Sequence, residues 1–187
     1  MKLAICHYSF HRRWAEEKWT LLRLCEEVKS LGVDSVDFHA RLIGNLDNPV
    51  QEIQSALSKT GVNISGLSLS TDFNIEDPGE YQEMIDNTIK WMQVAAEVNA
   101  PVSRIFGGTL KDRLKVDEDT KKKAFQRVTD ALGVLSKEAE NLGLVLALEN
   151  HGGLPCTAEE QMAIIESVGS KYLQATIDIG NYLQCGQ

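Results

Sequence analysis

The sequence predicts an α/β fold in which short strands of a parallel sheet alternate with amphipathic helices. Along its 187 residues, six apolar segments of strand length alternate with five segments of helical periodicity. The connections from helix to strand are short and contain Gly32, Gly61 or Gly143, whereas the connections from strand to helix are long. In parallel α/β folds the long connections gather at the carboxyl ends of the strands, which is the face that carries function.

The first half of the chain contains three of these strands and two of the helices. Helical spacing of Leu21, Leu24 and Val28 indicates the first helix. The pair Asn48-Pro49 begins the second, because it combines an N-cap with proline at the first helical position. The predicted elements are a strand at 2–8, a helix at 14–31, a strand at 33–38, a helix at 49–61 and a strand at 62–70.

The second half contains the other three strands and three helices. Asp77-Pro78 begins a long helix, and Thr157 with Glu160 matches a capping box at the start of another. The strand that ends in Glu149 alternates leucines with smaller residues, so the leucines face helices and Glu149 faces the other side. The predicted elements are a helix from 77, a strand at 101–107, a helix at 118–142, a strand at 144–149, a helix from 157 and a strand at 173–178.

Composition and charge describe an ordinary globular protein. Hydrophobic residues make up 43% of the chain and the formal net charge is −8. A surface of this charge is not built to neutralise many phosphates, so nucleic acid is not an expected partner. The sequence has neither an apolar run of roughly 18 residues nor the apolar core of a signal peptide, so no membrane partner is expected.

The cysteines favour a reducing compartment. Cys6, Cys25, Cys156 and Cys185 are widely spaced and form no CxxC pair, so neither a disulfide framework nor a thiolate metal site is expected. Cys156 lacks a basic neighbour that would activate a thiolate. A cytoplasmic location is therefore predicted.

Polar residues follow most of the predicted strands. They are Asp37, His39, Ser68, Ser70, Arg104, Glu149, His151 and Asp178. Glu149 and Asp178 end consecutive parallel strands in the same phase, and two such carboxylates repel each other unless a cation or a proton lies between them. The favoured hypothesis is a hard divalent metal, and the alternative is a simple hydrogen-bonded pair.

The other polar residues allow two interpretations each. His39 and His151 could bind a substrate hydroxyl or a metal, or could be hydrogen-bonded histidines without a ligand. Lys111, Arg113 and Lys115 could hold a substrate phosphate, but a solvated loop is the favoured interpretation.

Three motifs carry a resemblance to a known family. They are RIFGG at 104–108, LALENHGG at 146–153 and TIDIGN at 176–181. With the repeated βα pattern, they resemble the xylose isomerase-like TIM-barrel superfamily, in its branch of sugar phosphate isomerases and epimerases. The resemblance implies a (β/α)8 barrel, and it identifies residues 1–187 as one C-terminally incomplete domain, a partial barrel of about six strands and five helices.

The resemblance also implies site residues. Glu149 and Asp178 are similar to the family's metal-binding glutamate and aspartate, and the family's other two ligands, a histidine and a glutamate from strands seven and eight, are absent here. Asn181 stands where the family often has a substrate-binding histidine. His151 resembles a pocket-lining residue, and Arg104, Asp37 and His39 are expected to contact substrate as well. The chain stops at Gln187, which is predicted to lie in the loop after strand six.

The function implied is a divalent-metal-dependent isomerase or epimerase of a sugar, sugar phosphate or related polyol. The metal, Mn²⁺, Mg²⁺ or Co²⁺, would stabilise an enediolate while Glu149 acts as a base. One alternative is an apurinic endonuclease-like phosphodiesterase, with Zn²⁺, and another is a non-catalytic or truncated barrel protein. With six strands, the chain is expected to bind Mn²⁺ weakly, to lack turnover and to associate into homo-oligomers or aggregates through its open edges.

Overall fold

A computed structural model of the protein describes residues 2–111, 113 and 115–185, so Gln187 lies outside the described residues. Six of its strands are parallel and correspond to the six predicted strands, while β5 and β7 are two additional short ones. The strands are β1 (Ile5–Cys6), β2 (Ser35–His39), β3 (Asn63–Ser68), β4 (Val102–Phe106), β5 (Gly108–Thr109), β6 (Val145–Glu149), β7 (Gly153–Leu154) and β8 (Leu173–Thr176).

The parallel strands form one arc in the order β1-β2-β3-β4-β6-β8. Ladders join β1 to β2 to β3, and β4 to β6 to β8. The two halves meet where the backbone N–H of Leu69, just after β3, donates to the carbonyl of Arg104 at 2.8 Å. The N–H of Phe73 donates in the same way to the carbonyl of Gly107. The expectation of a TIM-barrel-type partial barrel is thereby confirmed.

Helices follow the strands, and the longer ones cover the outside of this arc. They are α1 (His11–Glu16), α2 (Leu21–Ser30), α3 (Ala40–Ile43), α4 (Pro49–Thr60), α5 (Pro78–Glu97), α6 (Glu118–Leu142), α7 (Ala158–Val168) and α8 (Ile179–Gln184). The predicted caps are present: Asn48 and Asp77 accept hydrogen bonds from the backbone three residues ahead, and Thr157 with Glu160 forms a capping box. Gly61 and Gly143 adopt the left-handed conformation that ends α4 and α6.

The core lies between the strands and these helices. Val36, Phe38, Ile105, Leu146 and Leu148 are fully buried on the outer faces of their strands. They pack in one hydrophobic cluster with helical residues, which include Leu24, Ile53, Met92, Leu132 and Leu135. The inner faces are thereby left for polar side chains. Within the part of the chain that the structure describes, no helix is both long and apolar enough to cross a membrane.

The helix predicted at 14–31 is wrong, because two helices occupy that stretch. Lys18 adopts a left-handed backbone with φ 50°, and Trp19 turns inward to become buried. Thr20 then starts a new helix by accepting a hydrogen bond from the N–H of Arg23. The helical spacing of the apolar residues continues across this break, so periodicity alone did not show it.

The prediction of a loop after the sixth parallel strand is also wrong. Residues 179–184 form α8, because the Asp178 side chain caps it by accepting a hydrogen bond from the N–H of Asn181 at 3.0 Å. Three further features were not predicted. A 3₁₀ helix at His7–Phe10 replaces the end of the strand predicted at 2–8. The other two are the single turn α3 and an antiparallel ribbon in which β5 pairs with β7; all three are too short to show a periodic pattern.

The expectation that no disulfide forms is wrong as well. Cys156 and Cys185 are bonded, with their Cα atoms 5.9 Å apart. The pair spans 29 positions of sequence, and Cys185 comes close to Cys156 only because α8 forms. Cys6 and Cys25 remain thiols, and burial raises the pKa of each to about 11.

Candidate functional site

A cavity of about 620 Å³ opens at the carboxyl ends of the parallel strands. All seven predicted site residues line it, which are Asp37, His39, Arg104, Glu149, His151, Asp178 and Asn181. They come from β2, β4, β6, the loop after β6, the end of β8 and α8. The arc of parallel strands therefore brings together residues that are far apart in sequence.

The carboxylate of Glu149 lies at the centre of a polar cluster. Arg104 on β4, two positions before Phe106, which is the register partner of Glu149, forms an ion pair with the carboxylate, with Nε 3.1 Å from Oε2. The other carboxylate oxygen, Oε1, lies 3.3 Å from Nδ1 of His151 and 3.4 Å from Nδ2 of Asn181. Both members of the ion pair are largely buried, so the carboxylate is held in a defined position with its charge balanced.

Two aromatic contacts fix the side chains around Glu149. The guanidinium of Arg104 lies over the Phe106 ring, 4.2 Å from its centroid, and also donates to the carbonyl of Leu69. The ring of His151 also stacks on Phe106, with 3.9 Å between the two ring centroids. Phe106 therefore orients two of the three groups that contact the carboxylate, Arg104 and His151.

Asp178 is positioned by Asn150, a residue that the sequence prediction did not include in the site. Asn150 is buried, and its side-chain amide donates to the carbonyl of Asp178 and accepts from its N–H, both at 2.8 Å. The Asn150 amide therefore makes the two hydrogen bonds with Asp178 that a backbone peptide group of a neighbouring strand would make. It does so just beyond Thr176, which is the register partner of Glu149. The signal available in the sequence was an asparagine directly after a buried strand.

Asp37 occupies a slot in the wall formed by β2 and β3. A register shift between Val36 and Asp37 places Gly66 opposite the carboxylate. A Cβ on Gly66 would lie 3.0 Å from Oδ1 of Asp37 and 3.1 Å from the carbonyl of Val102. The hydroxyl of Ser68 donates to the carboxylate at 2.5 Å. Burial raises the pKa of Asp37, although the Ser68 hydrogen bond and Arg104 act in the opposite direction.

His39 is a neutral imidazole at this wall. It is 3% exposed, and its Nδ1 has no hydrogen-bond partner among the described residues. Burial, followed by the positive charges of Arg104 and Arg41, lowers the pKa of His39 to about 4. The ring is therefore available as an uncharged hydrogen-bonding group.

The described residues provide an incomplete set of metal ligands. Glu149 and Asp178 offer the carboxylate oxygens that hard divalent ions prefer, and such ions also accept water or substrate oxygens as ligands. However, residues 2–111, 113 and 115–185 contain no cluster of three or more histidine, cysteine, aspartate or glutamate side chains that could hold a metal. The donor chemistry of the two carboxylates fits a divalent ion, and the remaining ligands would come from outside this set.

Arg113 does not line the cavity described above. It pairs with Glu160, with Nη2 2.5 Å from Oε1, and donates to the carbonyl of Gly153. The phosphate interpretation of this loop has no support in these contacts, because the carboxylate already balances the charge of Arg113.

The fold and the position of the cavity define the class of protein. The chain belongs to the xylose isomerase-like TIM barrel family, which it matches over residues 25–187. The resemblance inferred from the three motifs is thereby confirmed. No curated protein matches the chain in sequence.

Solved structures show the same fold at low sequence identity. A 3-keto-D-glucoside 4-epimerase from E. coli superimposes with a TM-score of 0.78 at 17% identity, over 97% of this chain and 69% of the other. D-psicose 3-epimerase from Clostridium cellulolyticum H10 gives a TM-score of 0.78 at 18% identity, over 97% and 64%. The IolI protein with a bound zinc atom gives 0.74 at 20% identity, over 97% and 64%. The chain therefore spans about two thirds of the length of these proteins.

Proposed function

We propose that the protein is an isomerase or epimerase of a sugar, a sugar phosphate or a related polyol. The observation that carries the proposal is the Glu149 carboxylate, held by Arg104, His151 and Asn181 inside a polar cavity at the carboxyl ends of the strands. Isomerisation and epimerisation next to a carbonyl require a base beside the substrate carbon. The fold shared with a glucoside epimerase and a psicose epimerase supports the same reaction class.

In this proposal each side chain has a distinct role. Glu149 removes the proton from the carbon next to the substrate carbonyl, and Arg104 keeps its carboxylate oriented through their ion pair. Asn181 donates a hydrogen bond to a substrate oxygen but exchanges no proton near neutral pH. Glu149 and Asp178 would also hold a divalent ion, which supplies positive charge to the oxygens of the reacting carbons. The serines of the cavity and His39 are available for substrate hydroxyls.

The test follows the proton at the reacting carbon. The full-length gene product is incubated with aldoses, ketoses and their phosphates in ²H₂O, with Mn²⁺, Mg²⁺ or Co²⁺, and products are analysed by NMR. We expect solvent deuterium at the carbon next to the carbonyl. Products that form without any solvent deuterium would refute proton transfer through an enediolate.

Glu149→Gln and Asn181→Ala form a matched pair of variants for this assay. Glu149→Gln keeps the volume but removes both the base and a charged ligand, so turnover is expected to fall by a factor on the order of 100 or more. Asn181→Ala removes one hydrogen bond and is expected to cost far less. Turnover of the glutamine variant close to that of the wild type would end the assignment of Glu149.

No specific observation favours the apurinic endonuclease alternative. The net charge of −8 is unsuited to a DNA-binding surface. Salt-dependent binding of an abasic duplex would reverse this order of preference.

A further inference from the structure

A second cavity of about 340 Å³ adjoins the cavity that contains Glu149. The two share Arg41 and Ser70 as lining residues, so these side chains stand between them. The second cavity is bounded on its far side by Asn87 and Trp91 of α5. A substituent of a sugar bound in the first cavity could therefore extend past Arg41 into the second.

Arg41 is a cation without a partner in this region. It makes no ion pair or hydrogen bond with any residue that the structure describes, whereas Arg104, the other arginine of the first cavity, is paired with Glu149. The positive charge of Arg41 is felt inside the first cavity, because it contributes to lowering the pKa of the neighbouring His39. An arginine in this situation is suited to a phosphate or a carboxylate.

Three other polar groups lie near Arg41. His39 lines the first cavity with a neutral imidazole ring. The side-chain amide of Asn87 and the indole N–H of Trp91 line the second cavity and make no hydrogen bond with the described residues. Donors without acceptors beside an unpaired guanidinium favour a ligand that carries negative oxygens over a neutral sugar hydroxyl.

Two of the three carboxylates of the first cavity lie on the wall away from Arg41, and the third, Asp37 on β2, accepts a hydrogen bond from Ser68. Glu149 lies on β6, and Asp178 follows β8, whereas Arg41 follows β2, three strands away from β6 along the arc. Opposite charges at two ends of a cavity orient a ligand that carries its negative group at one end only. This arrangement would direct the reacting carbons toward Glu149 and the charged substituent toward Arg41.

We propose that Arg41, with His39, Asn87 and Trp91, forms a subsite for the anionic substituent, a phosphate or a carboxylate, of the sugar substrate. The inference rests on the proposed isomerase or epimerase function and specifies the substrate class as a charged sugar.

The experiment measures binding of charged and neutral sugars to the full-length gene product by calorimetry. D-fructose, D-fructose 6-phosphate and D-glucuronate are titrated in the presence of EDTA, so that phosphate or carboxylate does not bind to a metal. At least one charged sugar is expected to bind about tenfold more tightly than D-fructose, which corresponds to one charge-assisted contact. Arg41→Gln is expected to abolish this advantage and to leave the Kd of D-fructose unchanged.

Arg23→Gln is the matched control, because Arg23 is an exposed arginine on α2 whose partner is Glu27. This variant is expected to keep the full advantage of the charged sugar. Equal Kd values for the charged and neutral sugars, or an advantage that survives Arg41→Gln, would overturn the subsite. Turnover of neutral sugars with no preference for charged ones would refute the subsite and retain the proposed function. Preferential binding that depends on Arg41, without isomerisation of any sugar, would retain the subsite and refute the proposed function.

Discussion

Two buried histidines, His39 and His7, are expected to make the stability of the protein depend on pH. His39 is buried in its neutral form, and its pKa is lowered from 6.5 to about 4. Because the unfolded chain binds a proton at a higher pH than the folded one, the free energy of unfolding falls as pH drops from 6.5 toward 4. His7, fully buried against Trp14, acts in the same direction, since burial lowers its pKa to about 3. The raised pKa of Asp37 acts in the opposite direction.

Urea unfolding at pH 7.5 and pH 5 measures this cost for His39. The wild type is expected to lose stability at pH 5, and His39→Gln is expected to lose about 1 to 2 kcal/mol less than the wild type does. His11→Gln, at a histidine stacked on Tyr8 outside the core, serves as the control and should behave as the wild type. A pH dependence that is identical in wild type and His39→Gln would contradict the assignment.

At the scale of single elements, α8 depends on contacts with the rest of the chain. It contains no buried residue, yet it carries Asn181 of the candidate site. Besides the contacts of Asn181 with Glu149 and His151, three contacts attach it: the Cys156–Cys185 disulfide, the hydrogen bond from the Tyr182 hydroxyl to Gln161, and the pairing of Asn150 with Asp178 at its start. The disulfide is the covalent one, so its loss should release the end of the helix.

Reduction of the disulfide is expected to destabilise the protein and to expose α8. A disulfide that closes a loop of this length contributes about 2 to 4 kcal/mol, so dithiothreitol should lower the free energy of unfolding by that amount and speed amide hydrogen exchange at 179–184. Cys185→Ser should resemble the reduced wild type and should not respond to dithiothreitol. Stability and exchange that are the same with and without the reductant would show that the bond does not hold α8.

At the scale of the whole molecule, the arc of strands has two edges. Among the described residues, β1 pairs with β2 alone and β8 with β6 alone. Large apolar side chains are exposed beside the β8 edge, namely Ile177, Ile179 and Leu183. An edge strand flanked by an apolar patch favours association with another polypeptide.

The 187-residue chain is therefore expected to associate. Sedimentation velocity should show a mass that rises with protein concentration, and Ile179→Lys should reduce the rise because it places a charge on the patch. Leu31→Lys changes an exposed apolar residue at the end of α2, which packs on the half of the arc that contains β1, β2 and β3, and is expected to have no effect. A single monomeric species across the concentration range would rule out association at this edge.

Much of this architecture was predictable because it depends on local pattern. Asn48-Pro49 and Gly61 determine the two ends of α4, and the alternation before Glu149 determines which side chains face the cavity. The features that were missed depend on long-range contacts. The break at Trp19 follows from its packing in the core, and the Cys156–Cys185 bond requires α8 to form first. The seven predicted site residues line the cavity, but Asn150 was missed and their mutual contacts depend on strand register.

Register explains why the ion pair of Arg104 with Glu149 was not foreseen. Arg104 pairs with Ala147 in the ladder, and only this alignment brings its guanidinium beside the carboxylate two residues further along β6. The role of Asn150 has the same origin, since its two hydrogen bonds require the end of β8 to lie beside the end of β6. Neither contact leaves a signal in residue type alone.

The antiparallel ribbon of β5 and β7 gives one side of the cavity rim more contacts between loops than the other side has. It joins the loop after β4 to the loop after β6, and the hydrogen bond from Arg113 to the carbonyl of Gly153 joins them again. The loop after β3 joins them where the Asn74 amide donates to the carbonyl of Thr109. Three consecutive loops are therefore linked to one another on this side of the cavity. Ligand entry and exit are expected on the opposite side, near Tyr8 and Arg41, so the residue proposed to select a charged sugar would also be among the first that an arriving ligand meets.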